Sequence, residues 1–249
     1  MKKVYAFLAT SSLMAFGLIT DVMAQAPAKP VAPVVEQSYH QLIKETFIAG
    51  GIEFMIPILL CLIIGLALAI ERIITLNLET TNTKKFLPAI EEALKSGGTV
   101  AAKDVAVNTP GAVASIFTQG LMRADEGLDA IEKSVVSYGS VMMGRLEKGL
   151  TWISLFIGLA PMLGFMGTVY GMILAFKKIQ SAGTMDASLM AGEIQVALIT
   201  TIGGLIVAII LQIFYNYLTA KIDSITNQME DSSITLMDML VKKQAGNLK

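Results

Sequence analysis

A single cysteine, a single histidine and a charged fraction of only 16% are what this 249-residue chain has least of. Cys61 has no second thiol to pair with, so an intrachain disulfide is excluded; set in an apolar run, it reads as packed or lipid-facing filler. His40 stands beside no nucleophile or ligand cluster, so neither a histidine-based triad nor a zinc-type ligand set is expected. No enzyme activity, cofactor or metal is expected. The 19 basic and 20 acidic residues nearly cancel, and with neither a basic stripe nor an acidic tail nucleic acid is not an expected partner. What the chain has in excess is apolar surface: 54% of its residues are hydrophobic and its mean hydropathy is +0.64. Water is then a poor solvent for the whole chain, and a lipid bilayer is the expected one.

The apolar residues fall into blocks. Lys2 and Lys3 precede an apolar stretch and a Val22-Met23-Ala24 site, the grammar of a secretory signal cleaved after Ala24. The Pro/Ala-rich stretch from Gln25 to Pro33 suits an extended tether. No charge occurs from Phe54 to Ile70, between Lys148 and Lys177, or between Glu193 and Lys221. At about 1.5 Å per residue, the second and third stretches each exceed the ~30 Å hydrocarbon core. Arg72, Lys84, Lys85, Arg145, Lys148 and Lys221 lie at one set of span ends, against Lys44, Lys177 and Lys178 at the other. Basic residues are retained on the cytoplasmic side, and the signal-like leader independently puts the N-terminus outside. Trp152, Tyr215 and Tyr217 supply interfacial aromatics at the same cytoplasmic face.

The expected organisation is a signal peptide (1–24), a periplasmic N-terminal tail (25–50), a first span (51–76), a cytoplasmic helical region (77–148), a second span (149–176), a periplasmic loop (177–192), a third span (193–218) and a cytoplasmic C-terminal helix (219–249). The fold class is an all-α membrane protein whose three transmembrane helices carry long cytoplasmic helical extensions. In those extensions Phe86, Leu87, Ile90 and Leu94 recur at helical spacing. Leu128, Ile131, Val135, Tyr138 and Met142 form a stripe that predicts one helix running directly into span two. Ile222, Ile225, Met229, Leu236 and Leu240 repeat the pattern after span three, broken at Ser232 and Ser233. Such stripes require helical partners.

Span two carries Ala160, Gly164, Thr168, Gly171 and Ala175 at spacings of three and four, and span three carries Ala197, Thr201, Gly204 and Ala208. Small side chains on one face let helix backbones approach closely in lipid. Two uses remain open at this level: packing between spans two and three of one chain, or lining a lumen between several chains. Thr168, Thr200 and Thr201 are the deepest polar groups, and their hydroxyls either bond back to the helix or hydrate an ion path. Pro161 predicts a kink or a hinge. No Asp, Glu, His, Lys or Arg occupies the middle of any span. Hydroxyls do not titrate near neutral pH, so a proton carrier at membrane depth has to come from a partner helix.

The run Leu146-Glu147-Lys148-Gly149-Leu150-Thr151-Trp152 followed by Ala160-Pro161-Met162-Leu163-Gly164-Phe165-Met166-Gly167-Thr168-Val169-Tyr170-Gly171 resembles the second-span signature of the ExbB/TolQ/MotA proton-channel family, most closely ExbB and TolQ. Ala197-Leu198-Ile199-Thr200-Thr201-Ile202-Gly203-Gly204-Leu205, ending at Tyr215-Asn216, is similar to the third-span signature, and Ile70-Glu71-Arg72 to the end of the first. The resemblance implies a homo-oligomer, a pentamer, around the helices of an ExbD-like single-span partner whose membrane aspartate carries protons. It further implies a TonB-like protein as the recipient of the work, and channel-facing roles for Thr168 and Thr201. One position departs: where the resemblance implies a glutamate five residues before the third-span threonine, this chain has Val196.

Overall fold

The computed structural model describes residues 39–183 and 187–244. The signal-like leader and Pro/Ala-rich tail fall outside the described residues. The chain divides into two units, Met1–Glu45 and Thr46–Lys249; of the first, only the start of helix α1 (Tyr39–Ala49) is described. All regular elements among the described residues are helices.

In the second unit α2 (Ile52–Leu78) is followed by three short helices, α3 (Thr83–Ser96), α4 (Gly98–Val107) and α5 (Ala112–Met122), and a 3-10 turn (Ala124–Glu126). Helix α6 (Leu128–Leu146), α7 (Leu150–Ala182) and α8 (Ala187–Gln244) complete the described residues. Among the described residues three helical stretches are long and apolar enough to cross a membrane, and α2, α7 and α8 supply their apolar parts. With 58 residues, α8 spans about 87 Å at 1.5 Å per residue, roughly three bilayer cores.

These helices overrun the apolar stretches read as spans. Helix α7 continues to Ala182 and α8 starts at Ala187, so the segment read as a loop over 177–192 is largely helical. Gly183, with φ of +66°, ends α7 by donating its N–H to Ile179 O at 3.0 Å. The continuous helix expected from Leu128 into span two is interrupted at Glu147, Lys148 and Gly149. Gly149 has φ of +89°, a left-handed conformation that a β-carbon disfavours, and α7 restarts at Leu150.

Two apolar cores form among the described residues. The larger lies outside the span centres, where Phe86, Ile90 and Leu94 of α3, Phe117 and Leu121 of α5 and Ile131, Val135 and Met142 of α6 meet Leu218, Ile222, Ile225, Met229, Leu236 and Leu240 of α8. Phe86 and Phe117 pack edge-on with ring centroids 5.0 Å apart. The α8 stripe thus finds its partners within the chain, and Ser232 sits in it fully covered, at 3% exposure. The smaller core, Ile58, Cys61, Ala160, Val207 and Leu211, joins the three spans. The outer face of α2 leaves Leu60, Ile63, Ile64 and Ile74 exposed, a surface suited to lipid or a neighbouring chain.

Candidate functional site: the seam between α7 and α8

Helices α7 and α8 run antiparallel with their backbones nearly touching. A β-carbon placed on Gly204 would stand 2.5 Å from Ala160 O and 3.3 Å from Pro161 Cα; on Gly164, 2.9 Å from Thr200 O; on Gly171, 2.9 Å from Glu193 O. Most of these obstacles are backbone atoms, so the spacing of the pair depends on hydrogen at those positions. Helices in lipid gain little from apolar burial against each other, and close van der Waals contact across small residues takes over that role.

The threonines divide between the inside and the edge of this seam. Thr200 is fully buried; its hydroxyl donates to Ala197 O (2.8 Å) or Val196 O (3.1 Å), and its side chain occupies the space left by Gly167, where a β-carbon would stand 2.5 Å from Thr200 Oγ1. Thr201 is half-buried, and its Oγ1 reaches across the seam to Gly164 O at 3.2 Å while also lying 3.3 Å from Ala197 O on its own helix. Thr168, one turn along α7 from Gly164, is also half-buried and donates to Phe165 O at 2.6 Å. The hydroxyls of Thr168 and Thr201 have their protons engaged and keep lone pairs that can accept from water or coordinate a cation.

Of the small residues expected on these faces, Ala160, Gly164, Gly171, Ala175, Ala197 and Gly204 are buried and Ala208 is half-buried. Within one chain they serve packing between spans two and three. Thr168 and Thr201 remain at the edge, whereas the structure withdraws Thr200 from any free surface. Pro161 lies inside an unbroken run of α7, with its Cα against Gly204. Two residues escaped the sequence reading. Gly167 could have been found by continuing the four–three spacing from Ala160 and Gly164, but Thr168 lies only one position away. Arg72 read only as an orientation marker. In the structure it is 5% exposed and its Nη2 donates to Leu146 O at 2.8 Å and Arg145 O at 3.3 Å, capping the C-terminus of α6 where unpaired carbonyls and the helix dipole favour a cation. A β-carbon on Gly149 would lie 3.2 Å from Arg72 Cδ, so the break before α7 is shaped around this side chain.

Charges keep to the ends of the seam. Among the described residues, the ion pair of Lys178 Nζ with Glu193 Oε1 is the one that joins two different helices. No three His, Cys, Asp or Glu side chains cluster among them as a metal site requires.

A three-span helical membrane protein whose last two spans meet in a hydroxyl-edged seam, with acids only at its ends, is the class these observations define. Residues 108–231 match the MotA/TolQ/ExbB proton channel family. An ExbB homolog of Methanothermobacter thermautotrophicus is 32% identical over 200 residues, covering 80% of this chain and 70% of that one. The biopolymer transport protein ExbB of Neisseria gonorrhoeae is 34% identical over 89 residues, covering 36% of this chain and 40% of that one. A solved chain of C. jejuni MotAB shares the fold, with a TM-score of 0.50 at 15% identity, over 95% of this chain and 86% of its own. The chain belongs to the MotA/TolQ/ExbB proton channel family, a family of channels rather than a class of enzymes.

Proposed function

We propose that the chain is the multi-span subunit of an ExbB-type motor in the bacterial inner membrane, with its N-terminus periplasmic and its C-terminus cytoplasmic. It assembles as a homo-oligomer, a pentamer, around an ExbD-like single-span partner, and the ion gradient it dissipates powers TonB-dependent uptake across the outer membrane. The observation that carries this reading is the placement of Thr168 and Thr201 at the edge of a seam with no ionisable side chain at its depth. Such a wall can guide a hydrated cation but cannot itself take up a proton, so the titrating carboxylate belongs to the partner. Val196, where the resemblance implies a glutamate, sharpens that division of labour. Each charge crossing about 100 mV releases about 2.3 kcal/mol, so a few ions per step supply useful mechanical work.

The test is gradient-driven cation flux in proteoliposomes holding the chain with its single-span partner. Thr168→Val and Thr201→Val, at normal assembly, are expected to lower flux and to abolish siderophore-type uptake in cells. Intact flux in both would show that the threonines line nothing. Intact flux-linked work with no effect on outer-membrane uptake would move the chain to a TolQ-like or motility role, and an oligomer without the partner would leave a passive scaffold.

A further inference from the structure

The exposed apolar stripes of α2 and α8 differ in length. On α8 the stripe runs from Leu198 to Tyr217, about 29 Å at 1.5 Å per residue, which matches the ~30 Å hydrocarbon core. On α2 it runs from Ile52 to Leu78, about 39 Å. The two helices lie side by side: a β-carbon on Gly51 would stand 3.2 Å from Val196 Cγ1, and one on Gly65 would stand 2.7 Å from Leu211 Cδ1. Gly65 is therefore level with Leu211, and Glu71 with Tyr217, so the excess falls at the far end of α2. Ile74 and Leu78 lie about 5 and 10 Å beyond the level of Tyr217. Leu78 is 71% exposed there, past the depth that lipid chains cover.

A recess lies at the same depth on another face of the chain. Between α6 and α8 a cavity of about 350 Å³ is lined by Val136, Gly139 and Met143 on one side and Met229 and Ile234 on the other. Val136 is 64% and Ile234 63% exposed, and a β-carbon on Gly139 would meet nothing within 4 Å, so the floor is open to an incoming side chain. Arg72 fixes its level, because its Nη2 donates to Leu146 O and Arg145 O at the end of α6. Measured from that end, Met143 and Gly139 lie about 5 and 11 Å away, and measured from Arg72, Ile74 and Leu78 lie about 3 and 9 Å away in the same direction. Both pairs are four residues apart on their helices. They look different ways: Arg72 faces α6, and Ile74 is about 200° round α2 from it.

We propose that Ile74 and Leu78 of one copy of the chain seat in the α6–α8 recess of the next copy, just outside the bilayer. An apolar projection and an apolar recess at one depth but on different faces make a head-to-tail contact, and a rotation about the membrane normal repeats it without axial displacement, as a closed ring requires. The proposal rests on the homo-oligomer of the motor-subunit reading above and names the surfaces that close it.

Disulfide trapping tests it in a Cys61→Ala chain co-purified with its single-span partner and oxidised with diamide. Leu78→Cys and Gly139→Cys on one chain are expected to give a ladder of cross-linked oligomers, and the two single variants mixed during expression are expected to give a heterodimer, because a disulfide needs Cα atoms within about 7 Å. Val100→Cys with Gly139→Cys is the control; Val100 is as exposed as Leu78, but its helix begins at Gly98, against Lys243 at the far end of α8, and no ladder is expected. Ile74→Glu with Leu78→Glu, both at exposed positions, is expected to raise the dissociation constant of the oligomer about tenfold or more on dilution in detergent. An oligomer of unchanged mass that neither cross-links nor weakens overturns this contact alone. A dimer formed by Leu78→Cys by itself, the mark of a two-fold contact, overturns it as well. A parent chain that is monomeric with its partner present removes the homo-oligomer reading and the contact together.

Discussion

Gly204→Ala tests the closest approach between the two threonine-bearing spans. The added β-carbon would stand 2.5 Å from Ala160 O, about 0.9 Å inside ordinary contact, and 3.1 Å from Ala160 C. Both obstacles are backbone, so no rotamer change relieves them; α7 and α8 must separate by most of an ångström or slide. Overpacking of this kind costs about 1–3 kcal/mol, against a gain of about 1 kcal/mol from alanine's helix propensity. Because the displacement also loosens Gly164 and Gly171 against their partners, the upper part of that range applies. The net loss is then about 1–2 kcal/mol, a shift of roughly tenfold in the folded-to-unfolded ratio. Gly139→Ala in α6 is the matched control: its β-carbon meets nothing within 4 Å, and it should be neutral or stabilising. The assay is reversible unfolding in mixed micelles, followed by circular dichroism. Equal stability of Gly204→Ala and the parent chain would refute the backbone contact, and with it the account of the small residues as intrachain clearance.

Other perturbations have distinct signatures in the same assay. Arg72→Met leaves the Leu146 and Arg145 carbonyls without their charged donor but also removes a buried, unpartnered Nε–H; a net loss of about 1–2 kcal/mol is expected, with Arg72→Lys recovering part of it. Gly149→Ala combines a left-handed backbone with a contact on Arg72 and should cost about 1–2 kcal/mol. Glu193→Gln removes the Lys178 pair, yet more than half of the lysine side chain is exposed, so a loss below about 1 kcal/mol, shrinking in high salt, is expected. A larger, salt-insensitive loss would give that pair a structural weight its exposure does not support.

Three spans and their extramembrane helices were legible in the sequence because both signals are local: an uncharged run long enough for the bilayer, and apolar residues repeating with the helical period. The small faces of spans two and three were equally legible as faces. Their use was not. Gly167 and Thr168 are one residue and about 100° apart, and the periodic pattern accepts either as the next member of the stripe; only the arrival of Thr200 from α8 decides that Gly167 faces inward and Thr168 stays at the edge. The same contact buries Thr200 and leaves Thr201 half-exposed, although the two are chemically identical neighbours. Arg72 makes the point for charge. Hydropathy marks it as the end of a span, whereas its place under the C-terminus of α6 depends on a helix end 73 to 74 residues away. Composition and period determine which helices form and which solvent they need. Which side of each helix meets protein is decided by backbone distances between segments remote in sequence, and those exist only once the spans have packed.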